Sequence, residues 1–324
     1  MSHPPYYGHN PAAAVANITA RAAAWRAGPP AADGRKLGLV IEGGGMRGIL
    51  SGGGVVALAH LGYREVFDEV YATSAGVMNA SYFLAGQTAA GITIYYEDLA
   101  DKRFWNPRRF WKPLDVDYIF RDVVVSQKPL NTAAIMKARS RLLVSAIDVR
   151  AGEGKLIDTR ETKTPLLQVL KAATAIPVLY NRTVEVDGVP CIDGGLAIPF
   201  PIQHAIDRGC TDILVLLTRP PAYRTSAPGR SHTFLFRSFI RGDKRKMTAI
   251  FANSAAASAA ARDLALGVTP PSRDVNIVTV CPEAPELIHR TSRDPKVMRH
   301  GAWEYGRKVL RAFGADDHGW DLPG

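Results

Sequence analysis

Apolar positions fall into short continuous runs that alternate with longer segments of helical period. Leu37 to Ile41 reads as a buried strand, and Ile49, Val55, Val56, Leu58 and Ala59 follow at helical spacing. A second strand is predicted over 66–72 and a helix over 77–85, entered through Thr73-Ser74-Ala75-Gly76. Residues 141–149 alternate as a strand, with 154–159 as the partner across a Gly-containing turn. A helix is expected over 164–175, then two short strands at 183–186 and 189–192 joined by Asp187-Gly188, the dipeptide that best signals a tight hairpin. Residues 201–208, 233–247, 250–266 and 295–313 have helical patterns, while 212–218 and 275–280 read as strands, the first apolar enough for a sheet interior. Strands alternating with helices in this way imply an α/β fold, a mostly parallel sheet with helices on both faces.

The pattern also divides the chain. Residues 1–35 carry few large apolar side chains beyond Tyr6, Tyr7 and Trp25 and are expected to form a flexible N-terminal extension, in part helical over 17–26. Residues 36–218 form the expected core, and 219–324 a mainly helical part packed on the same domain. Between 95 and 120, Tyr95, Tyr96, Phe104, Trp105, Phe110, Trp111, Tyr118 and Phe120 are interleaved with Lys102, Arg103, Arg108, Arg109 and Lys112. Two accounts fit this segment: helices packed on the sheet edge, or a cover over the site whose aromatic and basic groups rest at a lipid interface. The run from Phe234 to Lys246 poses the same choice between a solvated helix face and a contact with anionic membrane.

Composition narrows the function classes. Of the 324 residues 47% are hydrophobic, ample for a large core, and the formal charge of +10 favours anionic partners without separating lipid from nucleic acid or soluble anions. The three cysteines, Cys191, Cys210 and Cys281, form no C-x-x-C pair or Cys/His cluster, which points to a reducing compartment without structural zinc. The first thirty-odd residues lack a basic start followed by an apolar block, and no apolar run approaches membrane-spanning length. The expected location is therefore cytoplasmic, at most peripheral to the inner face of the membrane.

Two stretches carry candidate chemistry. Gly43-Gly44-Gly45-Met46-Arg47-Gly48 lies between a strand and a helix, where exposed amides and the helix dipole favour negative charge. It satisfies the spacing of a dinucleotide-binding loop, Gly43-x-Gly45-x-x-Gly48, and equally suits an oxyanion hole for acyl transfer. Ala72-Thr73-Ser74-Ala75-Gly76 has the layout of a nucleophile elbow, with Ala72 standing where glycine is usual. None of the eight histidines has motif context as a base for Ser74. Asp193, after a short strand and before Gly194 and Gly195, is the better candidate, provided partial desolvation raises its basicity.

These three motifs, in this order and at this approximate spacing, resemble the patatin-like phospholipases over about residues 36–218. The resemblance implies a three-layer α/β/α fold and a Ser/Asp dyad without histidine, Ser74 as nucleophile and Asp193 as general base. Amides around Gly44, Gly45 and Met46 would form the oxyanion hole, and Arg47 would steady the loop, meet a lipid phosphate or simply face solvent. It further implies hydrolysis of phospholipid or lysophospholipid with no metal or cofactor, and no nucleic-acid partner. Two alternatives remain: a nucleotide-binding module on Gly43 to Gly48, for which Glu65 is badly placed as the ribose-binding acid, and a catalytically inactive lipid-binding protein on the same fold.

Overall fold

The computed structural model describes residues 6–28, 33–106, 108–109, 113–180, 182–240, 242–283 and 288–323. Four helix-connected strands, β1 (Leu37–Ile41), β2 (Glu69–Ala72), β7 (Asp212–Leu216) and β8 (Asn276–Val280), join β3 (Arg141–Asp148) in one parallel block ordered β3-β2-β1-β7-β8. β4 (Glu153–Asp158) and β6 (Val189–Asp193) run antiparallel to β3, and β5 (Val184–Val186) runs antiparallel to β6. The hairpin between β5 and β6 turns at Asp187 and Gly188, both with positive φ, as its sequence predicts.

The parallel strands are buried on both faces and their side chains alternate between two cores. Leu39, Ile41, Val70, Ala72, Leu214 and Leu216 face one core, closed by helix α2 (Ile49–His60), helix α3 (Ala75–Leu84) and the helix Pro295–Ala312. Val40, Tyr71, Ile213, Val215 and Ile277 face the other, closed by the helices Ile202–Asp207 and Lys244–Ala265. The result is the expected three-layer α/β/α arrangement.

The amino ends of the strands hold a charge cluster. Glu69 is buried and receives Arg208, Lys36 and the Tyr71 hydroxyl, and Asp212 receives Arg35 and the Asn17 amide. The carboxyl ends are left to the Gly-rich loop, the Ser74 turn and the chain after Asp193, the end where open α/β sheets gather ligands.

Two expectations need correction. The N-terminal segment is not loosely attached over its described part: helix α1 (Pro11–Ala27) buries Ala14, Ile18 and Ala22 against the main core. Its many alanines are small enough to let the helix lie close to β7 and β8, and the buried Arg21 is paired with Asp33 and Asp68. The two helices expected over 233–247 and 250–266 are instead Arg230–Phe239 and Lys244–Ala265, the break falling earlier in the chain. They are parted at Gly242, with φ of 88°, and at Asp243, whose carboxylate caps the second helix by accepting the Arg245 and Lys246 amides. In the aromatic segment, Tyr95, Tyr96, Phe104, Tyr118 and Phe120 belong to the main core, the packing account, while Lys102, Arg103 and Arg108 face solvent. Phe110, Trp111 and Lys112, and likewise Arg241, lie outside the described residues. Among the described residues no helix is long and apolar enough to cross a membrane.

If α1 is an integral layer, Ile18→Ala lowers unfolding free energy by about 2–4 kcal/mol. Urea unfolding measures this; a loss below about 0.5 kcal/mol is what a loosely attached extension would give.

Candidate active site

The site is assembled by a conflict of strand directions on one edge of β3. A strand has two edges, and β4 occupies one of them from Leu143 to Asp148. The other edge is shared: β2 pairs there up to Ala72 opposite Val144, and β6 arrives from the opposite direction to end with Asp193 opposite Ala146. The two strands meet end to end, and both chains must leave the sheet at the meeting point. β2 leaves through Thr73 and Ser74 into α3, and β6 through Gly194 and Gly195 into a short 3-10 turn. Ser74 and Asp193, 119 positions apart in sequence by subtraction (193 − 74), are thereby brought to one point.

At that point the backbone is strained. Ser74 has φ 55° and ψ −131°, a conformation that costs a non-glycine residue on the order of 1–3 kcal/mol. The strain is held by its surroundings: the Gly76 amide donates to Thr73 O at 3.0 Å and the Val77 amide to Ser74 O at 2.9 Å, starting α3 directly behind the serine. Thr73 is itself pinned, its hydroxyl 2.7 Å from that of Ser145 in β3 and 3.2 Å from Ile198 O. Ala72 keeps negative φ and pairs with Ile41 and Val144 in the sheet, so its methyl group introduces no strain where glycine is usual. Glycine is required at Gly76 instead, where a Cβ would lie 2.6 Å from Ile41 O.

The Gly-rich loop lies directly against this turn. A Cβ on Gly43 would sit 2.4 Å from Thr73 O and 2.8 Å from both Ala75 N and Ser74 Cβ, so only glycine permits the approach. Gly44 and Gly45 have φ of 134° and 62° and lead into the turn Gly45–Gly48 and then α2. The loop is tied to α3 by a buried network. The Asn79 amide donates to Gly48 O at 2.8 Å and to Ser51 Oγ at 3.1 Å, while the Tyr95 hydroxyl donates to Asn79 Oδ1 at 3.1 Å. Of the amides expected to face an oxyanion, that of Met46 is already engaged, donating to Arg290 O at 3.1 Å. Arg47 is buried beneath the loop with its Nε donating to Thr218 Oγ1 at 3.3 Å, not directed to solvent.

Asp193 is 4% exposed. Its Oδ1 accepts the Gly195 amide at 2.8 Å, while Oδ2 is buried and makes no hydrogen bond of ordinary length and angle. Burial pushes the carboxyl up to about 6; the Ser74 hydroxyl, the Gly195 amide and the Arg290 guanidinium each act against that rise. The Ser74 hydroxyl thus bears on a carboxylate with an open acceptor without closing a hydrogen bond to it, a looseness common at such sites before substrate binds. A carboxylate with its pKa near 6 could take a proton from a serine hydroxyl at neutral pH far more readily than an ordinary aspartate.

The predicted site residues therefore converge on one site: Gly43 lies against the Ser74 turn, Gly195 against Asp193 and Thr73, and the Ser74 hydroxyl bears on the Asp193 carboxylate. Ser145, Asn79, Tyr95 and Arg290 complete it and carry no sequence signal. Ser145 is one alternating position in a strand, Asn79 sits inside a helix, Tyr95 is one aromatic among many, and Arg290 falls in a polar stretch of the C-terminal third. A cavity of about 450 Å³ opens beside the crevice between the β3–β4 turn and the helix Lys244–Ala265. Leu196 and Ala197, just beyond the Asp-Gly-Gly turn, form part of its wall, and Ser74 does not.

The family model described as patatin-like phospholipase matches residues 39–206, just over half of the chain and the whole of the crevice except the Arg290 segment. An uncharacterized protein of Escherichia coli (strain K12), YjjU, is 29% identical over 193 residues, 57% of this chain and 52% of its own length. The chain spans about half the length of that relative.

The buried carboxylate has a stability consequence with a definite sign. The folded pKa of Asp193, about 6, is above the ordinary 3.8, so its ionised form is disfavoured in the fold and stability falls as pH rises through 6. Asp193→Asn should gain about 1–3 kcal/mol at pH 8 and show no gain at pH 4, where the native group is nearly protonated. Thermal unfolding at the two pH values checks this; an equal effect at both would refute the raised pKa.

Proposed function

We propose that this chain, which belongs to the patatin-like phospholipase family, is a serine acyl hydrolase that releases fatty acid from phospholipid or lysophospholipid through an acyl-enzyme on Ser74. Family membership carries the general reading of a lipid hydrolase. The observation that carries the finer one is the strained Ser74 beside a buried carboxylate with an unpaired oxygen, backed by the Gly-rich loop.

In this reading Ser74 Oγ attacks the ester carbonyl while Asp193 Oδ2 takes its proton. The negative charge that develops on the carbonyl oxygen meets amides of the Gly43–Gly45 stretch and the positive end of α3, whose first residue, Ala75, lies against Gly43. Asp193 returns the proton to the leaving alcohol, then draws one from a water molecule that attacks the acyl-enzyme. The free acid and Ser74 are regenerated. Base catalysis of this kind supplies about 10²–10⁴-fold, and each oxyanion donor about 10²–10³-fold. These residues need no histidine and no metal for the sequence of steps.

A dinucleotide on Gly43 to Gly48 is the weaker reading. Gly43 is pressed onto the Ser74 turn, the start of α2 abuts Ala75 and Tyr95, and the Met46 amide is engaged, so little of the loop is open to a pyrophosphate. An inactive lipid-binding protein would have no reason to keep Ser74 strained beside a buried carboxylate. Contact with anionic membrane is supported by exposed Phe234, Arg237, Lys244, Arg245 and Lys246 at the junction of the two C-terminal helices.

A fluorophosphonate probe should label wild type and leave Ser74→Ala unlabelled. Fatty-acid release from phospholipid vesicles should fall at least about 10³-fold in Ser74→Ala and about 10²–10⁴-fold in Asp193→Asn. Its kcat/KM should decline as pH drops through about 6, where Asp193 loses its basic form. Labelling or release that survives Ser74→Ala would end the assignment. Vesicle binding should require anionic lipid and weaken with salt; binding indifferent to both would remove the basic helices as a membrane contact.

A further inference from the structure

Arg290 lies over the crevice from the C-terminal third of the chain. Its root is fixed: Ile288 is buried in the main core, and the turn after it is closed by the Ser292 amide on His289 O at 3.1 Å and the His289 amide on Ser292 Oγ at 2.8 Å. At the tip, Arg290 O accepts the Met46 amide at 3.1 Å. The backbone packs so tightly over Gly45 that a Cβ there would lie 2.9 Å from Arg290 O and 3.5 Å from Arg290 Cβ. The head of the side chain is the opposite of its root. Arg290 is exposed, no carboxylate among the described residues forms an ion pair with it, and its charge reaches Asp193. A permanent cation is thus held at the mouth, within electrostatic reach of the reacting groups and without a carboxylate partner among the described residues.

Arg47, which the sequence offers as the lipid-phosphate contact, is unavailable for it, being buried beneath Gly44 and bonded to Thr218. Arg290 occupies the open side of the same loop. A guanidinium presents a planar fork of donors that matches phosphate oxygens, and it stays charged at every working pH. In a glycerophospholipid the phosphate and each acyl ester sit on the same three-carbon backbone, the sn-2 ester on the carbon next to the phosphate and the sn-1 ester one carbon further. A cation beside the nucleophile therefore meets the phosphate when the ester carbonyl is on Ser74.

We propose that Arg290 is a specificity-determining residue that receives the substrate's phosphate while Ser74 attacks an acyl ester of the same glycerol backbone. This rests on the acyl-hydrolase reading above and names the group that the site selects for. Uncharged acylglycerols lack the matching group and gain nothing from Arg290.

The test compares kcat/KM for a monomeric lysophospholipid with that for an uncharged monoacylglycerol of the same chain length, in wild type, Arg290→Gln, Arg290→Lys, Arg290→Glu and Arg293→Gln. The ratio of phosphate-bearing to uncharged ester should fall about tenfold or more in Arg290→Gln, as expected for losing a charge-assisted hydrogen bond. It should fall further in Arg290→Glu, be largely kept by Arg290→Lys, and stay at the wild-type value in Arg293→Gln, whose side chain is on the same segment. Arg290 acting only on the charge of Asp193 would shift the pH profile for both esters alike and leave the ratio unmoved. A ratio within about twofold of wild type in both Arg290→Gln and Arg290→Glu overturns the proposal. Hydrolysis of neither ester in a Ser74-dependent manner by wild type would overturn the underlying reading as well, so the two failures are told apart.

Discussion

One edge of β3 carries two strands that run toward each other, and the rest of the crevice depends on that collision. Had β2 continued past Ala72, or β6 past Asp193, the two would have competed for the same backbone groups of β3. Each instead leaves the sheet within two residues of the other. The collision accounts for the sharp turn at Ser74, for the short 3-10 turn after Asp193, and for the burial of the carboxylate between them. It also explains the close packing of Gly43: the loop after β1 must lie over the end of its neighbour β2, where Thr73 and Ser74 are already turning.

The price of that geometry is a fold that holds two unfavourable features at one place, a serine with positive φ and a carboxylate with its pKa raised to about 6. Both are tolerated because the surrounding structure is over-determined. Thr73 is tied to Ser145 and Ile198, Gly48 to Asn79, Asn79 to Tyr95, and the far end of the sheet is stapled by Glu69, Asp68 and Asp212 with their basic partners. Charges at the amino ends of the strands are paired, whereas the buried Asp193 at the Ser74 turn keeps an open oxygen. The division of one sheet into an end of paired charges and an end with an open carboxylate oxygen follows from where each strand begins and stops.

Much of this was legible in the sequence, for local reasons. Leu37 to Ile41 is a continuous apolar run because β1 is buried on both faces, and Asp187-Gly188 turns a hairpin because both residues accept positive φ. The three motifs are legible because each has glycine where backbones approach. What was hidden depends on tertiary contact. The alanines of α1 look like a loose extension until the sheet they lie against is known, and Asp243 reads as one charge in a basic run until its carboxylate is seen capping the second helix. Ala72, a mismatch in the string, is an ordinary strand residue in the fold. Arg290 is a lone arginine in a polar stretch, and only the hydrogen bond from Met46 to its carbonyl brings it to the crevice.

The account's central claim is that Ser74 itself becomes esterified during turnover. Rapid acid quench of the enzyme with a long-chain ester, followed by tandem mass spectrometry of the digested protein, reads this directly. The account predicts a fatty-acyl mass on the peptide containing Ser74, formed more slowly below pH 6 and absent from Ser74→Ala. Turnover with no acyl mass on that peptide under any quench time, or an acyl mass on another residue, would contradict it.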